Sequence, residues 1–432
     1  MGLGLFALGI SASVYLVLAG RAVGPAVFAG LAVQWTLIYT LGVGLFVPFE
    51  QEIAREVAGR RATGDGPLPV VSRAALAAAS VCAGVAVLVL ATLPWLYDVV
   101  YFGSPAIVVG LLLALAGLAA QHLQRGTFSG SEAFGWYATQ IGVEGVLRTV
   151  GTLGLYVAGV HSIAPYALLV GVAPLLSALV VSVPFARLAM GQEIGQEIGR
   201  EIRRGSPVAW RDLGRNIAWL LAAALAAQGL ANLGTVAVRV LGRSLPDASA
   251  GHFLSGLIVA RLPLFVFAVI QVALLPRLAR TLADGRHRHF RSQLLVAASC
   301  TAGLAVAGVA GSFVAGTQVL QLLFGPDFDL PRGQLTLMAV GTGLYMVALV
   351  LQPAVVALGG HRAVAVAWIT GLTTFGLVLA LPVNLFDRVV LALILGGAAT
   401  AAVLAGKLFR ELPRAGDRTL QWDPAVDRAG ME

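Results

Sequence analysis

The chain has 432 residues, of which 58% are hydrophobic and only 12% charged, and its mean hydropathy is +0.87. These values exclude an ordinary soluble domain and a disordered chain, and they leave a polytopic membrane protein without a large soluble domain. The formal net charge of +8 would suit nucleic acid, but the basic residues are placed as topology and contact with anionic lipid require, so membrane lipid is an expected partner and nucleic acid is not.

In chain order, apolar runs occupy about 2–20, 27–48, 71–96, 105–121, 135–159, 164–186, 216–240, 250–275, 293–316, 333–351, 363–383 and 388–406. A hydrocarbon core about 30 Å thick needs roughly 20 apolar residues of helix, and the chain supplies that length repeatedly. The runs are continuously apolar and do not alternate, which favours helices over a transmembrane β-barrel. The expectation is an all-α polytopic membrane protein of about 12 transmembrane helices. If both termini are cytoplasmic, 22 of the 29 basic residues fall in inside loops and tail. The outside loops keep Arg21, Arg243, Arg332 and Arg388, and Arg148, Arg239 and Arg261 lie within or at the edge of spans. The chain enters its first span almost directly, without the basic n-region of a cleaved signal peptide.

The longest basic loop divides the spans six and six. Within it Ile194, Ile198 and Ile202 recur every four residues, as in a short amphipathic helix at the inner membrane surface. The expected organisation is a six-helix lobe over 1–190, a linker over 191–215, a second lobe over 216–408 and a cytoplasmic tail over 409–432. Four anchors recur between the halves at nearly constant offset: Ala19-Gly20-Arg21 with Leu241-Gly242-Arg243, Phe49 to Arg55 with Leu274 to Arg280, Phe102-Gly103 with Phe324-Gly325, and Leu123-Gln124 and Gly130 with Leu351-Gln352 and Gly359. An even-numbered repeat keeps its orientation, so the two lobes should be related by a pseudo-two-fold axis along the membrane normal, with a cavity between them.

Ionisable residues inside a span cost roughly 2.5 to 3.5 kcal/mol each on insertion scales, so the few present are functional candidates. The fifth span places Gln140, Glu144 and Arg148 four residues apart on one face, as either a self-neutralised packing pair or a substrate-facing arginine with Glu144 as ion-coupling group. The seventh span carries Gln228, Asn232, Thr235 and Arg239 as one stripe, which either lines water or binds another helix. Arg261, in the eighth span, has no acidic residue within ten positions. Its planar fork fits a pyrophosphate, with Glu144 or a backbone carbonyl as the structural alternative. Glu50 and Glu52 beside Arg55 read as an inner-surface ion cluster, and Trp35, Trp95, Trp136 and Trp219 as interfacial belts. Cys82 and Cys300 are the only cysteines and read as core packing. No phosphate-cradling loop and no metal-ligating cluster occurs, so no cofactor, metal or catalytic residue is expected.

The segments Phe46-Val-Pro-Phe-Glu-Gln-Glu-Ile-Ala-Arg55, Leu123-Gln-Arg-Gly126 to Ser129-Gly130, Tyr137 to Arg148, and Leu323-Phe-Gly-Pro326 resemble actinobacterial polysaccharide-export flippases of the multidrug/oligosaccharidyl-lipid/polysaccharide exporter superfamily. The resemblance covers essentially the whole chain and implies two six-helix bundles around a central, often cationic cavity. It also implies a bacterial plasma-membrane location and movement of a polyprenyl-pyrophosphate-linked oligosaccharide to the outer leaflet. On this reading Arg261, Arg148, Arg239, Gln228, Asn232 and Gln140 bind substrate, Glu144 couples an ion, and the chain acts as a monomer beside polysaccharide assembly enzymes. The family carries a basic stretch before its first span, which this sequence lacks. Two rivals stand against the reading. A membrane glycosyltransferase or ligase would need a sizeable outer loop bearing acid/base groups, whereas the outer loops here are short with Asp98, Asp247, Asp327, Asp329 and Asp387 scattered among them. An ion-coupled drug/cation antiporter would need a buried carboxylate free to meet a cation.

Overall fold

The computed structural model describes residues 2–190, 210–242 and 246–417; most of the predicted linker, Arg243 and the end of the tail lie outside them. Among the described residues the chain is all helix: α1 (Gly2–Leu37), a π-turn (Ile38–Val43), α2 (Gly44–Thr63), α3 (Leu68–Leu96), α4 (Pro105–Gly130), α5 (Phe134–Val157) and α6 (Ile163–Met190), then α7 (Trp210–Leu241), α8 (Ser249–Ala260), α9 (Leu262–Ala283), α10 (His287–Phe324), α11 (Arg332–Ala357), α12 (His361–Val378) and α13 (Leu385–Asp417).

Eight of these stretches are long and apolar enough to cross a membrane, or nine when α8 and α9, bent by 43° at Arg261, count as one. The remaining passes are hidden from a hydropathy criterion for physical reasons. The stretch 7–63 folds back on itself at Gly24, whose φ of 74° is open to glycine, next to Pro25, which lacks an N–H to donate. Tyr15 therefore stacks on Trp35 with ring centroids 5.5 Å apart, where a straight helix would hold residues twenty apart about 30 Å from one another. The α5 helix is made polar by Gln140, Glu144 and Arg148, and α12 opens on His361 and Arg362. With these the helices of the described residues make twelve passes, matching the apolar runs.

Several helices outrun their apolar segments. The α2 helix continues to Thr63 and ends on Gly64 in the left-handed region, with Arg60 and Arg61 in its last turn, where basic side chains oppose the helix dipole. A helix satisfies its own backbone in water as in lipid, whereas composition reports only the part in hydrocarbon.

Each half repeats one packing pattern. In the first, α4 packs on α6, α2 and α3, α1 on α5, and α5 on α6; in the second, α11 packs on α13, α9 and α10, α7 on α12, and α12 on α13. One hydrogen bond also recurs: the Gln140 amide donates to Gln124 Oε1, and Trp368 Nε1 donates to Gln352 Oε1 at 2.8 Å, a constant offset of 228 residues. The halves meet along α1 with α8 and α2 with α7.

Helix crossings use glycines in place of large side chains, as expected where lipid offers no hydrophobic drive between helices. A Cβ at Gly110 would fall on the Ala167 carbonyl, and one at Gly171 on the Gly110 carbonyl, so α4 and α6 meet backbone to backbone. Gly110→Val is expected to lower stability by about 1–3 kcal/mol in thermal or denaturant unfolding of the purified protein. Gly84→Val, at an α3 position with open space around it, is expected to leave stability unchanged.

Candidate functional site

The interior of the first half holds an ionic network. Gln140, Glu144 and Arg148 share one buried face of α5, as their spacing predicts. Glu144 pairs with Arg148 through one carboxylate oxygen, and through the other with Arg125 Nη2 at 3.1 Å. Arg125 Nε donates to Gln140 Oε1 at 2.9 Å, and Gln121 Nε2 donates to Glu144 Oε2 at 3.1 Å and to the Pro174 carbonyl at 3.1 Å. Arg148 also donates to the Tyr39 hydroxyl at 3.3 Å and lies 5.6 Å over the Trp35 ring. One carboxylate thus faces two guanidiniums in a buried interior, where isolated charges would be prohibitive.

Several partners escaped the sequence reading. Gln121, His122, Gln124 and Arg125 lie where the apolar run ends, so alone they resemble a solvated loop, yet α4 continues to Gly130 and all but Gln124 are fully buried. Trp35 is no interfacial belt residue; it is sandwiched between Tyr15 and Tyr39, the latter 4.4 Å away. Glu52 does pair with Arg55 at 2.7 Å, but Glu50 leaves that surface cluster and turns inward to His122 and Tyr137. Cys300 is exposed on the outside of the bundle and is not core.

The second half has the same helix packing but a different interior. At the 228-residue offset, Leu349, Val350 and Pro353 stand for Gln121, His122 and Arg125, and Leu372 and Gly376 for Glu144 and Arg148. The ionic network has no counterpart at these positions, and a cavity of about 540 Å³ lies between the halves, with Val43, Val47 and Gln51 of the first on one side and Trp219, Gln228, Tyr345 and His361 of the second on the other. Its polar lining is mostly amide and aromatic, with Gln271, Gln352 and Trp368 in addition, and among the described residues it contains no carboxylate. Two of the predicted stripe residues connect this cavity to Arg261. Asn232 Nδ2 donates to Gln228 Oε1 at 3.0 Å, and Arg261 donates to Asn232 Oδ1 at 3.2 Å and to the Ala231 carbonyl. Arg261 sits at the bend between α8 and α9. Glu144 is not its partner, being held by Arg125 and Arg148 in the other half.

Arg239 does not join the cavity stripe. It lies at the end of the molecule opposite the basic α2–α3 turn, where it reaches across to the other half. Its Nε donates to the Val99 carbonyl at 2.8 Å, Nη1 pairs with Asp247 at 2.8 Å, and the guanidinium stacks 4.1 Å over Phe102. Arg21 makes the reciprocal contact, donating through Nε to the Leu323 carbonyl at 2.6 Å and through Nη2 to that of Leu322. In both cases a guanidinium of one half caps unsatisfied carbonyls where a helix of the other half ends, α3 or α10, at the negative end of the helix dipole. Phe28 packs between Phe324 and Phe328, with centroids 5.9 and 5.7 Å away, and seals the gap beneath. This end is closed. Arg21→Ala and Arg239→Ala are each expected to raise the rate at which a water-soluble thiol reagent reaches a cysteine at Ala250, buried at this seam, by about tenfold. Hydrogen bonds to charged groups contribute about 1.5–3 kcal/mol, and Lys at either position should restore part of the protection.

No protein-family profile matches the chain. It is 27% identical over 411 residues to uncharacterized proteins of Mycobacterium tuberculosis strains CDC 1551 / Oshkosh and ATCC 25618 / H37Rv, covering 92% of this chain and 89% of each relative. Among solved structures, an inward-facing multidrug resistance MATE family transporter of the MOP superfamily superposes with a TM-score of 0.68 at 14% identity, over 96% of this chain and 99% of that one. An outward-facing MATE transporter of the same superfamily gives 0.60 at 14% identity, over 96% and 95%. A MOP superfamily transporter from Pyrococcus furiosus, described as having a binding pocket of reverse polarity, gives 0.62 at 14% identity, over 96% and 95%. The chain has the fold of these transporters.

Proposed function

We propose that this chain is a transporter that flips a lipid-linked, pyrophosphate-bearing oligosaccharide across the bacterial plasma membrane for cell-surface polysaccharide synthesis, and that it is not an enzyme. The observation that carries this reading is the polar lining of the cavity between the halves: amides, aromatic rings and an imidazole, no carboxylate among the described residues, and Arg261 connected to it through Asn232 and Gln228. Glutamine amides donate to and accept from sugar hydroxyls, tryptophan and tyrosine faces pack on sugar rings, and a guanidinium matches phosphate oxygens bidentately. A cationic drug would favour a carboxylate on the cavity wall, and Glu144 is instead occupied by two arginines. With the basic end facing the cytoplasm, as the distribution of arginines favours, the cavity takes its cargo from the inner leaflet while the lipid tail stays in the bilayer. The cargo then leaves where Arg21 and Arg239 part.

Transport of a defined polyprenyl-pyrophosphate-linked oligosaccharide in proteoliposomes tests the reading. Arg261→Ala is expected to reduce flipping at least tenfold with the protein folded and inserted, since it removes a costly buried charge, and Arg261→Lys to recover only part. Full activity of Arg261→Ala at normal expression rejects this role for the residue. Orientation has its own check. Cysteines placed at Asp247 or Asn384 should react with an impermeant reagent from outside sealed cells, and cysteines at Gly64 or Arg286 should not.

A further inference from the structure

Beside the ionic network lies a second buried group that the cargo reading does not use. His122 Nδ1 is 2.6 Å from Glu50 Oε2, and the Tyr137 hydroxyl donates to the other oxygen, Oε1, at 2.9 Å. The remaining ring nitrogen, His122 Nε2, is buried and has no hydrogen-bond partner. A buried polar atom without a partner is costly and calls for an explanation. Three helices converge on it. The α2 helix brings Glu50, α4 brings Arg125 one turn away, and α5 brings Tyr137, with Glu144 beyond Arg125. Of the other neighbours of α4, α6 offers Ser177 and Ser182 to Gln121 and Gln124, and α3 offers Cys82 to the Leu115 carbonyl.

The charges of this region are balanced only while the imidazole is neutral. Glu50 and Glu144 oppose Arg125 and Arg148. A proton on Nε2 would leave one uncompensated positive charge in a low-dielectric interior, and histidine is the side chain whose charge ordinarily changes between about pH 5 and 8. Glu144, the carboxylate expected to couple an ion, is enclosed by two guanidiniums, whereas Glu50 and His122 have one open valence between them. We propose that His122, held by Glu50 and Tyr137, binds a proton and thereby drives the change between the conformation closed at the Arg21/Arg239 end and one open there. The proton adds to the Nε2 lone pair and leaves from it, with no other bond made or broken. In the closed state described above Nε2 is buried without a partner. Glu50 adjoins Gln51 on the cavity wall, which gives the departing proton a route to the basic end. Protonation favours the state in which the extra charge meets water, a population shift set by the difference in proton affinity between the two states.

The test needs no cargo, so its outcome is independent of the flippase reading. In full-length protein in nanodiscs, with Cys82→Ser and Cys300→Ser, the labelling rate of Ala250→Cys by a water-soluble maleimide is measured from about pH 8 to about pH 5. Each rate is divided by that of a cysteine at the exposed Ser162, which removes the intrinsic pH dependence of the thiol. The normalised rate is expected to rise about tenfold as pH falls, and to be flat in His122→Gln. In parallel, the imidazole NMR signal that disappears in His122→Gln should titrate in the parent protein, with its midpoint lowered by about one pH unit in Glu50→Gln, because a neighbouring carboxylate favours the imidazolium. A pH-independent labelling rate in the parent protein, or an unchanged pH response in His122→Gln, overturns the proposal. Should His122→Gln fail to fold, an unaltered response in Glu50→Gln overturns it equally.

Discussion

Hydrocarbon offers no hydrogen bonds, so every charge and amide within the membrane must be satisfied by the protein itself. In this chain Glu144 bears most of that constraint. Its two oxygens take Arg148 from its own helix and Arg125 from α4, and Gln121 ties the same carboxylate to the backbone of α6. Three helices are thereby held in register by one side chain. Removing it would leave two guanidiniums facing each other, and breaking a buried pair of this kind costs about 3–5 kcal/mol.

The second half shows what the same scaffold becomes without that constraint. Its helices pack in the same pairs, and the Trp368–Gln352 hydrogen bond reproduces the Gln140–Gln124 one. Apolar residues and glycine occupy the positions of the charged ones, and Leu349, at the position of Gln121, lines the cavity that opens towards the first half. One fold therefore supplies two different interiors. One is dense and ionic; the other borders an open cavity without a carboxylate among the described residues, to which Asn232 and Gln228 connect Arg261.

Much of the fold was legible in the sequence because the period and length of apolar runs are imposed by the bilayer and not by partners. The twelve passes, the four-residue spacing that puts Gln140, Glu144 and Arg148 on one face over two turns, and the order of the repeat followed from chain-local spacing. What escaped notice depended on contacts between helices. Gln121, His122 and Arg125 sit at the polar end of an apolar run and differ from loop residues only in facing α5 and α2. Arg239 lies on the same side of α7 as Gln228 and Asn232, yet is two to three turns farther along, where a different neighbour waits. The assignment of Trp35 to an interfacial belt failed because its position was judged from the apolar run alone, while the fold at Gly24 places it against Tyr15.

The seam between Arg21 and Arg239 has a property that follows from the identity of its acceptors. The arginines are received by the main-chain carbonyls of Leu322, Leu323 and Val99, and a main-chain oxygen is supplied by whatever amino acid occupies the position. The receiving helix ends can therefore drift in sequence without loss of the contact, provided that the helices still end where they do. For these hydrogen bonds the sequence requirement rests on the two arginines, while on the opposing surface only the side chains that pack, such as Phe102 beneath Arg239, are fixed.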